Sequence, residues 1–375
     1  MNRRRLIPAL SVSSVVWKDC ELYWQRDSKG GSQAIETFID RKAGVIAMTE
    51  KQYAIQFIEK RKAALIEGEM DRSPLKPDEI AGRTIVSLIS TGSERGAYMD
   101  YFGGTVYPVS TGYAAVMEVL EIGSAVKNVN VGDRVLALAP HQLYNRVKSD
   151  EISLVPEGMN PEHAVMGRFP AVSMTSMIHT SIKPTELVLV TGLGVVGLMC
   201  AQMMRHCGYE VYAFDPNENR RETARACGIR HVYASLDEVP EVKGVAGLAM
   251  ECSGREEGTY SLAANLRRGG ELYLIGVPWY RSTDTFAHEL LKNVFYGFIQ
   301  LRSGFEWSLP RHSRDFMPNS NFSNIAKSME WIRDGHIKVE GIYEVTAPER
   351  CDDIYSSMAD GTMEKTCAIF DWSCI

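Results

Sequence analysis

Apolar runs in the second half of the chain alternate between the periods of strands and helices. Residues 186–191 form an apolar strand that leads into a glycine-rich turn, and residues 198–204 continue as a helix that ends at Gly208. Further strands are indicated at 210–214, 247–252 and 271–275, with helices at 220–227 and 260–266. This alternation predicts an α/β fold in which crossover helices join the strands of a parallel sheet.

The preceding part of the chain has a different pattern. Short strands separated by glycine-containing turns are predicted at 53–57, 83–89, 116–122, 134–138 and 144–147, which is typical of an all-β, barrel-like domain. After residue 322 the pattern predicts a helix at 325–333 and strands at 341–345 and 366–370. We expect this tail to complete the first domain, with the α/β domain inserted between its two parts.

The glycine-rich turn has the spacing Gly-x-Gly-x-x-Gly. A strand precedes it and a helix begins inside it, so the glycines suit a tight turn, backbone approach to a pyrophosphate and close packing of helix on strand. The pyrophosphate would lie on the unpaired amides at the helix N-terminus. The residues expected to line this turn are Gly192, Leu193, Gly194, Val195, Val196 and Gly197.

Asp215 ends the strand that follows the turn and indicates which dinucleotide binds. A carboxylate there accepts hydrogen bonds from a ribose 2′-hydroxyl and repels a 2′-phosphate, so NAD is favoured over NADP. Arg220 and Arg221 follow closely and leave the choice open, because arginines near this point can hold a 2′-phosphate.

Composition excludes several classes of protein. The 375 residues are 45% hydrophobic and carry a formal net charge of −6, which gives no electrostatic basis for binding nucleic acid or an anionic membrane. None of the eight cysteines forms a Cys-x-x-Cys pair, so they are interpreted as reduced cytoplasmic thiols. No run reaches the ~18 apolar residues of a membrane helix. Residues 1–47 lack sustained periodicity and are interpreted as a dispensable extension or a mis-assigned start.

The order of these elements, with Val131-Gly132-Asp133-Arg134-Val135 before the glycine turn, resembles the medium-chain dehydrogenase/reductase superfamily over residues 50–375. The resemblance implies a Rossmann domain (176–318) inserted in a GroES-like catalytic domain (48–175 and 319–375). It also implies NAD as cofactor. The residues that it adds to the cofactor site are Arg220 at the ribose, Lys365 at the pyrophosphate, and Ser253, Ile275, Gly276 and Val277 towards the nicotinamide.

The three positions that bind catalytic zinc in zinc-bearing members differ here. Those members have Cys, His and a third Cys, Glu or Asp, whereas this chain has Thr91, Tyr113 and Arg168. None of these is a suitable zinc ligand, so no metal is expected. The Thr-Gly-Ser-Glu and Tyr-Pro-x-x-x-Gly-Tyr segments resemble a zinc-free branch that includes bacteriochlorophyllide dehydrogenases.

Without a metal, side chains must stabilise or protonate the substrate oxygen. Ser93 is a candidate hydrogen-bonding or relay group, or else a turn serine. Tyr113 is a candidate proton donor, or else an aromatic ring that fills the metal position. Arg168 is a candidate for polarising the oxygen or binding an anionic group, or else a structural partner of Glu94 or Glu118. Glu94, Arg95, Tyr98 and Tyr101 are candidates for the substrate wall, or else ordinary surface residues.

The segment after the nicotinamide strand is rich in aromatic residues. The resemblance implies that residues 294–301 form a sheet-edge strand that pairs two subunits. Residues 304–321 are interpreted as an added flap near the substrate, or else as an irregular surface loop. The sequence therefore predicts a zinc-independent, NAD-dependent dehydrogenase or ketone reductase for a polar alcohol or ketone, such as a sugar or cyclitol derivative. Two alternatives stay open, an enoyl or quinone reductase and a protein that binds NAD without catalysis.

Overall fold

The structure is a computed structural model that describes residues 51–101 and 103–375 in full. Within residues 1–50, a separate compact unit, only the backbone of four short strands is described. Strand β1 (Trp24–Arg26) pairs antiparallel with β2 (Ser32–Ala34), and β3 (Ile39–Asp40) pairs antiparallel with β4 (Val45–Ile46). The hypothesis of a dispensable extension at 1–47 otherwise concerns residues outside the described part.

Antiparallel strands dominate the part of the chain up to residue 154. They are β5 (Lys51–Glu59), β6 (Lys62–Glu69), β7 (Glu79–Leu88), β8 (Val109–Ser110), β9 (Ala114–Ile122), β10 (Arg134–Ala137), β11 (Tyr144–Lys148) and β12 (Ile152–Leu154), with the short helix α1 (Ser93–Tyr98) after β7. Strands β6, β5 and β8 form one sheet in that order. Alternation explains β5, because Ile55 and Phe57 are fully buried on the same face.

The second sheet of this part also contains strands from the end of the chain. Its order is β12-β10-β9-β7-β20-β19, with β11 also paired to β7, where β19 is Tyr343–Thr346 and β20 is Cys367–Asp371. Strand β20 runs antiparallel to β7, with Ile369 opposite Leu88. Residues near both ends of the described chain therefore build one sheet, while the domain boundaries at 175 and 318 stay a prediction.

The predicted parallel sheet is present between these two parts. Its elements are β13 (Leu187–Thr191), α4 (Val195–His206), β14 (Glu210–Phe214), α5 (Glu218–Ala226), β15 (His231–Tyr233), β16 (Ala246–Glu251), α6 (Glu256–Asn265), β17 (Leu266–Leu274), α7 (Ala287–Gly297) and β18 (Gln300–Ser303). The six strands lie in the order β15-β14-β13-β16-β17-β18 and are all parallel. Successive strands are added on one side of β13 up to β15 and on its other side from β16 onwards. Parallel sheets of this type bind ligands at the point where this order reverses, here between β13 and β16.

The remaining α-helices of the described part are α2 (Pro161–Met166), α3 (Arg168–His179), α8 (Asn321–Arg333) and α9 (Cys351–Asp360). The buried cluster that includes strands of both sheets also includes Phe169 of α3, Leu198 of α4 and Met329 of α8. No helix in the described part is long and apolar enough to cross a membrane.

The strand predicted at 294–301 is wrong. Residues 294–297 are the last turn of α7, Phe298 ends that helix in the left-handed conformation (φ 53°), and only Gln300–Ser303 are extended. Leu290 and Val294, four residues apart, pack on the core from one face of α7. A short apolar run fits either period, and here the packing of a helical face decided the outcome.

Candidate functional site

The three glycines of the turn between β13 and α4 meet three different surroundings. Gly192 has φ +82°, and a Cβ there would lie 2.6 Å from the Ser253 amide nitrogen. A Cβ on Gly197 would lie 1.7 Å from the Gly192 carbonyl oxygen, so that position packs helix on turn. A Cβ on Gly194 would meet nothing within 4 Å. The middle glycine therefore borders open space at the start of a helix, where a pyrophosphate would lie.

The first turn of α4 is free to receive an anion. Gly194 caps the helix without any side-chain hydrogen bond, and no acidic residue lies in the first turn. The amides of Val195, Val196 and Gly197 belong to that turn, which lacks intrahelical acceptors. The helix dipole adds to their attraction for negative charge.

Asp215 closes the same turn from the end of β14. Its Oδ2 accepts a hydrogen bond from the Leu193 amide at 2.7 Å, and its Oδ1 accepts one from the Asn217 amide at 2.8 Å. Nη1 of Arg220 lies 3.3 Å from Oδ2, while Asp215 itself is 3% exposed. The structure thus brings together Leu193, Asp215 and Arg220, three of the predicted cofactor residues.

The ends of β16 and β17 lie next to this turn. The amides of Ile275 and Gly276 both donate to the Glu251 carbonyl oxygen at 2.8 Å. A Cβ on Gly276 would lie 2.2 Å from the Gly254 nitrogen, and one on Gly254 would lie 2.5 Å from the Val277 carbonyl oxygen. Ser253, Ile275, Gly276 and Val277 are therefore assembled at one edge of the sheet, as predicted.

Sequence reasoning missed the carboxylate of Glu251 in this edge. It accepts hydrogen bonds from the amides of Ser253 (2.8 Å) and Gly254 (3.0 Å) and is 1% exposed. Burial raises the pKa of Glu251 above its usual value, although these donors act in the opposite direction. An acid at the end of a wholly buried strand was the available signal.

Lys365 lies in the loop that leads into β20 and is partly buried. No hydrogen bond or ion pair within residues 51–101 and 103–375 joins it to the glycine turn. Its contact with a pyrophosphate stays a prediction.

Tyr113 and Arg168 are brought together in the pocket beside this edge. The guanidinium carbon of Arg168 lies 4.3 Å from the centroid of the Tyr113 ring. Nη1 and Nη2 of Arg168 donate to Oε2 and Oε1 of Glu306, each at 2.6 Å, and Arg168 is 2% exposed. The predicted structural pairing of Arg168 with Glu94 or Glu118 is therefore wrong, because its partner is Glu306, which sequence reasoning missed.

Burial raises the pKa of Tyr113 well above its usual value, and the guanidinium of Arg168 offsets part of that rise. Within the described residues, the Tyr113 hydroxyl makes no hydrogen bond to another protein group. Its ring packs beside that of Phe169, with the centroids 5.8 Å apart. A neutral, unpartnered hydroxyl on a fixed ring is suited to donate a hydrogen bond to a ligand oxygen.

Glu94 has a structural place that sequence reasoning did not foresee. Its carboxylate accepts hydrogen bonds from Thr111 Oγ1 at 2.7 Å, from Tyr355 Oη, and from the Ser90 amide at 2.8 Å. His141 Nε2 lies 3.1 Å from it. Burial opposes ionisation, but His141 and these donors hold the pKa of Glu94 below its usual value.

This network excludes Glu94 from the predicted substrate wall. Tyr98 is excluded as well, because it is fully buried and its hydroxyl donates to the Arg61 carbonyl oxygen. Ser93, by contrast, is exposed at the start of α1, with its amide 3.2 Å from Ser90 Oγ. The Glu94 network therefore anchors the loop that presents Ser93.

Aromatic side chains that follow the end of β17 reach α1. A Cβ on Gly96 would lie 2.7 Å from the Trp279 ring, so only glycine lets this indole lie against the helix. The rings of Tyr101 and Tyr280 are 5.1 Å apart. These contacts close one side of the space between the two sheets.

Comparison with known proteins agrees with this architecture. The family model for zinc-binding dehydrogenases matches residues 195–300. A sorbitol dehydrogenase from Bacillus subtilis is 24% identical over 46% of this chain and 60% of its own length. An L-threonine 3-dehydrogenase from Shewanella sp. is 26% identical over 53% of this chain and 69% of its own length. The chain thus spans about two thirds of these curated relatives.

The fold is shared over a longer stretch. The crystal structure of galactitol-1-phosphate dehydrogenase from Escherichia coli superposes with a TM-score of 0.73 at 14% identity, covering 85% of this chain and 99% of that one. The chain is thus similar to zinc-binding dehydrogenases over residues 195–300 and shares the fold of dehydrogenases, as its resemblance to the medium-chain dehydrogenase/reductase superfamily implies. The segment that the family model matches begins after Thr91, Tyr113 and Arg168.

Whether zinc can bind depends on the side chains at the three positions that the resemblance assigns to its ligands. A hydroxyl at Thr91, a phenol at Tyr113 and a cation at Arg168 form a donor set that does not fit Zn²⁺. Arg168 also keeps its positive charge in the pocket and binds Glu306 with both terminal nitrogens. Among the described residues, no three His, Cys, Asp or Glu side chains are grouped to hold a metal. The residues present do not fit a catalytic zinc.

Proposed function

We propose that this protein is a zinc-independent oxidoreductase that transfers hydride between NAD(H) and the carbon of an alcohol or ketone. The observation that carries the proposal is the Tyr113 hydroxyl, which is neutral, makes no hydrogen bond to another group of the described residues, and belongs to a ring that packs against Arg168. Similarity to zinc-binding dehydrogenases and to a sorbitol dehydrogenase supports the reaction class.

The reaction needs a source of hydride and a source of a proton. A reduced nicotinamide, held by the turn of residues 192–197 and by Asp215, would supply hydride to the carbonyl carbon, and the Tyr113 hydroxyl would donate its proton to the carbonyl oxygen. Because its pKa is raised, Tyr113 stays protonated at neutral pH and acts as a hydrogen-bond donor while negative charge develops on the oxygen. Solvent reprotonates it after each reduction.

NAD is the proposed cofactor because of Asp215. A 2′-phosphate would approach a buried carboxylate whose charge is shared with only one half-exposed arginine, Arg220. Arg221 is engaged elsewhere, since its Nη1 donates to the carbonyl oxygens of Asp215 and Pro216 at 2.8 and 2.9 Å. A ribose diol, in contrast, can donate to the carboxylate oxygens.

A polar substrate, such as a sugar or cyclitol derivative, is part of the same proposal. Besides Tyr113, the loop after β7 exposes Ser93, and the rings of Tyr101 and Tyr280 contact each other next to that loop. These groups offer hydrogen bonds to neighbouring hydroxyls of a polyol. Arg168 is a weak site for an anionic group, because Glu306 neutralises its charge and accepts one N–H from each of its terminal nitrogens.

A homodimer is proposed from the surface of α7 and β18. Strand β18 ends the order of the parallel sheet, so its outer edge has no partner strand within the described chain. The helix beside it exposes Leu291 (62%), Phe295 (74%) and Tyr296 (69%). A contiguous apolar surface next to an open sheet edge is the type of surface that a second copy covers.

The test begins with purified, full-length protein. Binding of NADH and of NADPH is measured by fluorescence, and a panel of polyols, sugars, cyclitols and their ketones is screened by nicotinamide absorbance, with and without a chelator. The proposal expects tighter binding of NADH, turnover of a polar member of the panel, and turnover that chelation leaves intact. Loss of turnover together with a bound transition metal would overturn the zinc-free chemistry. Preference for NADPH and for conjugated C=C substrates would favour an enoyl or quinone reductase, and NADH binding without any turnover would favour a non-catalytic protein.

A further inference from the structure

Glu306 belongs to the segment 304–321, which runs from the end of the parallel sheet to α8. It begins a short 3-10 turn (Glu306–Ser308) and is 8% exposed. Its carbonyl oxygen accepts hydrogen bonds from Asn321 Nδ2 at 2.9 Å and from Thr175 Oγ1 at 3.5 Å. Both backbone and side chain of Glu306 are therefore held in the pocket and are not part of a loose surface loop.

The pair of Glu306 with Arg168 is bidentate and buried. Two parallel N–H···O bonds of 2.6 Å fix the plane of the guanidinium as well as its position. That plane lies against the Tyr113 ring, and Nε of Arg168 has no hydrogen-bond partner. Glu306 neutralises Arg168 and accepts one N–H from each of its terminal nitrogens, so we assign Arg168 to the Tyr113 ring and not to the substrate.

The charges that face Tyr113 oppose one another. Arg168 alone would favour the ionised phenol, whereas Glu306 and Glu94 disfavour it. Burial is the main reason that the pKa of Tyr113 is raised and the phenol keeps its proton, and Glu306 limits the opposing effect of Arg168. A cation–π contact with an uncompensated arginine would instead favour the phenolate.

We propose that Glu306 is a positioning residue that clamps Arg168 against the Tyr113 ring and cancels its charge, so that a protonated Tyr113 hydroxyl is presented to the substrate oxygen in one orientation. The inference rests on the proposed function, in which Tyr113 is the proton donor. In this proposal Tyr113, Arg168 and Glu306 together take the role that a metal has in zinc-bearing relatives. Arg168 and Glu306 contact neither the substrate nor the transferred hydride.

The test uses Glu306→Gln, which keeps the size of the side chain and removes its charge. In this variant the uncompensated Arg168 should lower the pKa of Tyr113 by about one unit or more. The tyrosinate absorbance is titrated in E306Q and in E306Q/Y113F, and the difference isolates one tyrosine among 16. We expect this difference to titrate at lower pH than the difference between wild type and Y113F.

The same shift should appear in catalysis. For carbonyl reduction by E306Q, kcat should fall as the pH rises through the lowered pKa of Tyr113, while the wild type lacks this loss and the NADH Kd stays unchanged. The double variant R168Q/E306Q removes both charges, which abolishes the alkaline loss, and it gives a folded reference if E306Q alone is unstable. Glu306→Asp should restore the wild-type pH profile in part.

Two outcomes overturn the inference: a tyrosinate difference that titrates alike with and without Glu306, or wild-type kcat and pH profile in both E306Q and R168Q/E306Q. Failure of the proposed function has a different signature. In that case the tyrosinate titration shifts as expected, but Y113F retains turnover.

Discussion

The guanidinium carbon of Arg168 lies 4.3 Å from the centroid of the Tyr113 ring, and the resemblance to zinc-bearing dehydrogenases implies that both residues stand where those proteins have metal ligands. A cation that would repel a metal thus packs against an aromatic ring. Because Glu306 pairs with the terminal nitrogens of Arg168, the three side chains together carry no net charge.

Replacing Tyr113 by Phe should lower kcat by about 10²- to 10⁴-fold, because the proton donor is lost while the ring that packs on Arg168 remains. The NADH Kd should be unchanged, since the hydroxyl is not part of the dinucleotide site. Steady-state kinetics and a fluorescence titration measure the two effects. Tyr343→Phe is the matched control, a partly buried tyrosine whose ring packs near His163. Equal turnover in Y113F and Y343F would remove Tyr113 from the mechanism.

The glycines of the turn should separate cofactor binding from stability. Gly194→Ala adds a methyl group where nothing lies within 4 Å, so we expect an unchanged melting temperature and an NADH Kd at least about tenfold weaker, equivalent to about 1.4 kcal/mol. Gly197→Ala places its methyl group against the Gly192 carbonyl oxygen and should lower the melting temperature as well. Thermal unfolding and NADH titration of both variants make the comparison. Unchanged NADH affinity in G194A would place the pyrophosphate elsewhere.

Asp215→Asn should reduce the preference for NADH over NADPH. The variant keeps an oxygen that can accept from the Leu193 amide but removes the charge that repels a 2′-phosphate. We expect the ratio of the two dissociation constants to change by about tenfold, which corresponds to about 1.4 kcal/mol. Asp237→Asn, at an exposed position, is the control. A wild-type protein that already prefers NADPH would contradict the assignment before any variant is made.

Glu251 should make stability depend on pH. Its pKa in the folded protein lies above the ordinary value of 4.5, so the folded chain binds this proton more tightly than the unfolded chain. Its contribution to the free energy of unfolding therefore falls as the pH rises from about 4.5 through the raised pKa. Glu251→Gln lacks this titration and should gain stability relative to wild type between pH 5 and pH 8 in urea unfolding. The exposed Glu241→Gln variant should follow the wild type, and an E251Q curve parallel to both would refute the idea.

The surface of α7 should control oligomeric state. Leu291→Glu and Phe295→Glu each place a charge in the exposed apolar face, and we expect sedimentation velocity to show a monomer where the wild type is a dimer. Phe316→Glu is the control, because Phe316 is fully exposed on a different segment. A monomeric wild type, or variants that remain dimeric, would contradict the proposed interface.

Local patterns in the chain were sufficient for the parallel sheet and its dinucleotide turn. The spacing of Gly192, Gly194 and Gly197, with Asp215 at the end of the next strand, depends on contacts between neighbouring elements, and a short stretch of sequence encodes them. The same kind of pattern misassigned residues 294–301. Their apolar spacing fits a helix or a strand, and packing of Leu290 and Val294 on the sheet decided for the helix.

The sequence by itself determined the features of the predicted dinucleotide site, which are a glycine turn and an acid after the following strand. It also determined that Cys and His are absent from the expected metal positions. Only the tertiary structure decided what stands in place of the metal. Arg168 and Glu306 are 138 residues apart, and Glu94 is joined to His141 and Tyr355, which are 47 and 261 residues away in the sequence. Charges so distant in sequence leave no periodic trace, because their pairing depends on how the two sheets and the segment 304–321 pack in three dimensions.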